Sequence, residues 1–167
     1  RPFVEEIVVV DTGSTDGTPE IARRYADVFE VFTDCNDPET GAIADFAKAR
    51  NRSFDLATRQ WVMWMDSDDV LAGGEHLARL IAGADANLAR FHDEELRDPA
   101  LTPEHRAGLA RQGPKDFCYL FPYEYVYAPN GKCVCLHYRE RLVSRRAAMR
   151  WVNPVHEVML PTEPGSG

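Results

Sequence analysis

EEIVVVDTGSTDGTPEIARRYADVFEVF, residues 5–32, decides the fold. Residues 7–10 are a continuous β-branched run, as expected of a strand buried on both faces. A polar loop, DTGSTDGT, follows. Thr18 is placed to cap a helix, and Pro19 suits the first helical position. Ile21, Tyr25 and Phe29 recur every four residues and give one apolar stripe. Residues 28–32 then read as the next strand. Strand, helix, strand is a βαβ unit, which predicts parallel pairing.

The same alternation continues outward. A second helix is expected over about residues 42–58, with Ile43, Phe46, Ala47, Phe54 and Ala57 near one face. Residues 61–65, WVMWM, read as a third strand, and 75–84 as a third helix. The polar stretch 85–116 holds a short helix around 104–111. Residues 117–127 and 132–145 are aromatic or alternating runs, and Asn130-Gly131 between them is a hairpin signal. The order is βαβαβα followed by an antiparallel pair, read as one domain over residues 1–160 with a flexible tail, 161–167.

Bulk properties narrow the function. The 167 residues suffice for one core. A net charge of −8 argues against a broad nucleic-acid surface, which needs a basic footprint. The four cysteines lack paired Cys-x-x-Cys spacing and read as reduced thiols of a cytoplasmic protein. No apolar run reaches the roughly 18 residues of a membrane span.

Three polar clusters carry candidate chemistry. Asp11 and its glycine-containing loop end a strand at the carboxyl edge, where open α/β sheets bind ligands. There Asp11 can accept from a ribose hydroxyl or a base N–H, and Gly13 and Gly17 permit close backbone approach; a plain strand-to-helix turn uses the same residues. Asp66, Asp68 and Asp69 follow the third strand. Their hard oxygens suit Mg²⁺ or Mn²⁺, a reading favoured over a solvated turn with Ser67 or Asp69 capping the next helix. His156 and Glu157 sit among apolar residues near the end, where imidazole suits an Mn²⁺-type ion or serves the structure.

Taken in order, VVVDTGSTDGT (8–18), DFAKARNRSF (45–54), WVMWMDSDDVL (61–71), YRERLVSRR (138–146) and RWVNPVHEVM (150–159) resemble GT-A glycosyltransferases of family 2. The likeness is to the bacterial branch often found beside tetratricopeptide repeats. It implies an α/β, Rossmann-like fold with a mixed, mostly parallel sheet flanked by helices. It also implies a nucleotide-diphosphate sugar donor, a divalent metal (Mn²⁺ or Mg²⁺) and inversion at the anomeric carbon. On that likeness Asp11 contacts the nucleoside and Asp16, with Gly13, supports it. Asp66-Ser67-Asp68 is the DxD element, with Asp68 the metal ligand and Asp66 on ribose, sugar or metal. His156 completes the metal shell, and Arg50 and Asn51 orient the acid loop or touch the donor. Arg139, Arg141 or Arg145 adds positive charge at the diphosphate, the first two sharing a strand face with His137.

Two departures matter. The chain opens just before the family's second strand, so the fold is expected to lack its first strand and helix. That leaves residues 7–10 as an apolar edge open to self-association. The family's usual "ED" base is missing, so Glu124 and Glu157 are the candidates for deprotonating the acceptor. The acceptor is open: glycan, lipid, protein or small molecule. The rival readings are a nucleotidyltransferase and a degenerate, non-catalytic sugar-nucleotide-binding module.

Overall fold

The computed structural model describes residues 2–112, 118–145 and 149–162. The elements run β1 (Val8–Asp11), α1 (Thr18–Tyr25), β2 (Val28–Val31), α2 (Phe46–Leu56), β3 (Trp61–Met63), α3 (Leu77–Leu96), α4 (Pro103–Gln112), β4 (Cys118–Tyr127), β5 (Cys133–Ser144), β6 (Met149–Val152) and β7 (Val158–Pro161). They divide into two compact units, Arg1–Val62 with Ala148–Gly167, and Met63–Ala147.

In the first unit β1 and β2 pair in parallel, Val8 opposite Val28 through Asp11 opposite Val31. Asp27 fixes the entry to β2, its carboxylate accepting the Ile7 amide at 2.9 Å. Helix α1 is not capped by Thr18. Thr18 is itself the first helical residue, and its amide is satisfied by the Asp16 carboxylate at 2.9 Å. The apolar stripe is also not a buried one: Ile21 is 57% and Tyr25 64% exposed, and no residue of α1 is buried. Phe29 belongs to β2, so the four-residue spacing ran past the end of the helix.

Helix α2 starts at Phe46, later than residue 42, because the preceding residues are tied into a loop. Asp37 accepts the Glu39 and Thr40 amides, Asn36 bridges to Ile43, and the amides of Ala44 and Asp45 both donate to the Cys35 carbonyl. Asp45 then caps the helix, its side chain accepting the Lys48 amide at 2.9 Å. Helix α2 packs on both β1 and β6.

The β6–β7 hairpin is antiparallel, with Trp151 opposite Met159. Asn51 of α2 holds it as a neighbouring strand would. Its amide nitrogen donates to the Trp151 carbonyl, and its oxygen accepts the Trp151 amide, both at 2.9 Å. The Phe54 ring meets Trp151 edge-on at 6.4 Å. Trp151, 2% exposed, is thereby the largest side chain of this unit's core.

In the second unit α3 runs on to Leu96, beyond residue 84, since good helix formers continue and proline enters only at Pro99. Strands β4 and β5 form the expected hairpin, and Gly131 takes the left-handed conformation (φ 79°) that its turn requires. Strand β4 pairs with β5 alone and so lies at a sheet edge, which suits Pro122, a residue without an amide to donate. Buried residues here include Trp64, Leu77, Ala84, Leu142 and Val143.

A single, mostly parallel sheet was the expectation. The described strands form three small sheets, with β1–β2 parallel and β4–β5 and β6–β7 antiparallel. Strands β4 with β5, and β6 with β7, are joined by short turns, which can connect only antiparallel neighbours. All four cysteines are free thiols, and burial together with the Glu140 charge pushes Cys118 up to about 11. Among the described residues no helix is long and apolar enough to cross a membrane.

Replacing Asn51 with Ala removes both main-chain bonds to a buried residue. Urea unfolding is expected to show a loss of about 2–4 kcal/mol. Asn51→Asp, which keeps the acceptor but loses the donor, is expected to lose less.

Candidate functional site

Each unit carries its own part of the candidate chemistry. In the first, β1 ends on Asp11, 6% exposed. Its Oδ1 accepts the amides of Gly13 and Ser14, each at 2.8 Å, and so folds the loop back over the strand end. Burial alone would raise this carboxyl. The Ser14 hydroxyl and the Ser14 and Gly13 amides outweigh it and hold it below the ordinary range. Gly13 has φ 103°, and a side chain there would press Thr33 at 3.3 Å. The loop after β2 packs alongside, with Asn36 donating to the Thr12 carbonyl at 2.7 Å. Thr33 and Asn36 were not singled out from the sequence; their only signal was their place after a parallel strand. Asp16 is spent on Thr18, whose hydrogen bonds hold its carboxyl below the ordinary range.

Arg50, Asn51 and Glu157 also belong to this unit. Arg50 Nε meets Glu157 Oε1 at 2.7 Å with both side chains largely buried, and its guanidinium lies 5.3 Å from the Trp151 ring. Asn51 serves the Trp151 backbone. The turn between β6 and β7 puts two non-glycine residues, Asn153 (φ 73°) and His156 (φ 55°), in the left-handed region. That conformation costs on the order of 1 kcal/mol per residue. The Pro154 carbonyl, accepting the Phe46 amide, and the Arg50–Glu157 pair hold the turn. His156 is exposed at its end.

The acid loop lies in the second unit. The Asp69 amide donates to the Asp66 carbonyl at 3.1 Å, and the Asp66 amide to Asp69 Oδ2 at 2.9 Å. This reciprocal pair closes a tight turn with Ser67 and Asp68 exposed at its tip. Asp69 faces inward to Arg141, whose Nη1 lies 2.6 Å from Oδ2. Arg141 is 7% exposed, with its guanidinium 3.9 Å from the Trp64 ring and 4.7 Å from that of Tyr123. Burial would raise the Asp69 carboxyl, but the Asp66 amide, the Arg141 charge and the Tyr123 hydroxyl bring it below the ordinary range. Arg139, two residues before Arg141, reaches the same Trp64 ring at 5.7 Å and Glu140 at 4.0 Å. Glu124 is exposed on β4 and accepts from the Tyr127 hydroxyl. Arg145 is exposed after β5.

With this geometry in place, comparison with known proteins adds identity. The profile described as Glycosyl transferase family 2 matches residues 2–91, more than half of the chain. The chain belongs to glycosyl transferase family 2. A TPR repeat-containing protein of Synechococcus elongatus is 40% identical to this family 2 chain over 68 residues, which is 41% of this chain and 15% of that protein. A PGL/p-HBAD biosynthesis glycosyltransferase of Mycobacterium tuberculosis is 38% identical over 78 residues, 46% of this chain and 29% of its own. The uncharacterized glycosyltransferase YibD of Escherichia coli is 36% identical over 64 residues, 38% of this chain and 17% of its own. The family 2 chain thus spans under a third of each of these relatives. No solved structure matches it.

The family 2 profile covers both Asp11 and the acid loop. Because the folded Asp11 carboxyl is depressed, the stability it contributes is present above about pH 4 and is lost as pH falls through its folded value. Urea unfolding at pH 6 and pH 3 is expected to show a smaller acid loss in Asp11→Asn than in the unsubstituted chain.

Proposed function

We propose that this chain binds a nucleotide-diphosphate sugar and transfers the sugar, with inversion, to an acceptor hydroxyl. The observation that carries the reading is the acid turn. In a family 2 chain, a closed turn presents Asp66-Ser67-Asp68 directly after a strand, with its third acid already neutralised from within.

The donor set supports an ion brought in with the substrate. Among the described residues no three of His, Cys, Asp and Glu come together as a metal cage. An exposed Asp68 with Asp66 two residues before it suits Mg²⁺ or Mn²⁺ held by one or two carboxylates plus phosphate oxygens. Asp68 is the proposed ligand, with Asp66 on the ion, ribose or sugar; His156 belongs to the first unit and is left out of this set. When bound, such an ion supplies Lewis-acid stabilisation to the departing diphosphate.

The protein's own groups do the rest in this reading. Asp11 takes the nucleoside, its loop held by Gly13 and Ser14. Arg139 adds charge at the diphosphate. Of the two candidate bases, Glu157 is committed to Arg50, which favours the exposed Glu124 for the acceptor proton.

A thermal-shift panel of UDP- and GDP-linked sugars with Mn²⁺ is expected to raise the melting temperature for one nucleotide class, the shift growing with ligand concentration. Asp68→Ala is expected to abolish the metal-dependent part of that shift while its ligand-free melting stays within about 2 °C, since the residue is exposed. A retained shift sinks the metal assignment. Glu124→Gln is expected to bind donor normally but lose transfer by at least about 100-fold. Glu157→Gln is expected to lower stability; normal transfer by Glu124→Gln with loss in Glu157→Gln would reverse the two roles.

A further inference from the structure

Asp69 is the inward-facing acid of the turn. Two donors converge on its carboxylate: the Asp66 amide at 2.9 Å and Arg141 Nη1 at 2.6 Å. Its side chain is 7% exposed, against exposed neighbours Ser67 and Asp68. A carboxylate so occupied has little left for a ligand, but it is well placed to hold the turn.

The supports behind it are equally built. Arg141 is stacked between the Trp64 and Tyr123 rings. It also donates to the Trp64 carbonyl at 3.3 Å, while the Trp64 amide donates to its carbonyl at 3.2 Å. The Trp64 indole N–H donates to the Glu140 carbonyl. A planar guanidinium can stack and pair at once, which a lysine ammonium cannot.

We propose that Asp69, Arg141 and Tyr123 are positioning residues: they lock the turn that aims Asp66 and Asp68 at the donor, and touch no substrate themselves. This rests on reading the turn as the donor's diphosphate site. It moves Arg141 away from direct donor contact and Asp69 away from the metal shell. Trimming the clamp should therefore weaken binding at the diphosphate end and leave the nucleoside end, carried by Asp11, unaffected.

Tyr123→Leu is the mildest test, since it removes the ring that lies over Arg141 and leaves the Arg141–Asp69 pair itself in place. Two quantities are read: hydrogen exchange of the Asp66 and Asp69 amides, and calorimetric affinity for UDP-glucose and GDP-mannose with Mn²⁺ beside that for uridine and guanosine. The expected result is about tenfold faster exchange at both amides and about tenfold weaker binding of the sugar nucleotide. Nucleoside affinity is expected to stay unchanged. Arg141→Lys is expected to fail to restore the turn even where it folds. Unchanged exchange in Tyr123→Leu overturns the proposal, as does an equal loss of sugar nucleotide and nucleoside. If the unsubstituted chain binds neither sugar nucleotide, the donor reading fails instead, and the exchange result still decides whether the clamp holds the turn.

Discussion

A buried cation holds the second unit's acidic loop in place. Three aspartates within four residues repel one another and resist burial. Arg141 resolves this by taking Asp69 as its partner, while the rings of Trp64 and Tyr123 lie against its guanidinium. Buried ion pairs are expensive to form and more expensive to break, so such a contact favours one arrangement of the turn over others. The same contact leaves Asp68 at the tip facing solvent. An inward acid that fixes the loop and an outward acid that stays available is a division of labour a donor site can use.

The first unit relies on side chains that imitate backbone. Asn51 gives Trp151 the two bonds an adjacent strand would, and so anchors a hairpin to a helix. Arg50 ties down Glu157 next to a turn with two left-handed residues. Asp11 gathers two amides and Asp16 one, and each sets the direction of the chain after β1. Several residues read from the sequence as donor contacts thus have a structural task close to the proposed chemistry.

Legibility in the sequence followed the range of the interactions. The βαβ start, the Asn-Gly hairpin and the helix near residues 103–112 were readable because each depends on local periodicity or turn chemistry. The acid turn was readable as a charge cluster beyond an apolar strand. Its partner was not, because Arg141 lies more than 70 residues away and nothing local distinguishes it from Arg139. Tyr123 was hidden for the same reason, appearing only as one of several aromatics on β4. The β6–β7 hairpin was missed since its four-residue strands are too short for alternation to show, and its attachment depends on a helix a hundred residues earlier. The stripe on α1 was overread: four-residue spacing counted a strand residue as part of a helix.

The central claim is that this family 2 chain spends a sugar nucleotide through its acid turn. Product analysis tests it most directly. UDP-glucose and GDP-mannose are incubated with the chain and Mn²⁺, and the released phosphates are separated by ion-exchange chromatography. The account predicts free nucleoside diphosphate from one of the two, absent with chelator and absent in Asp66→Ala. Release that persists undiminished in Asp66→Ala, or formation of pyrophosphate in place of nucleoside diphosphate, would contradict it.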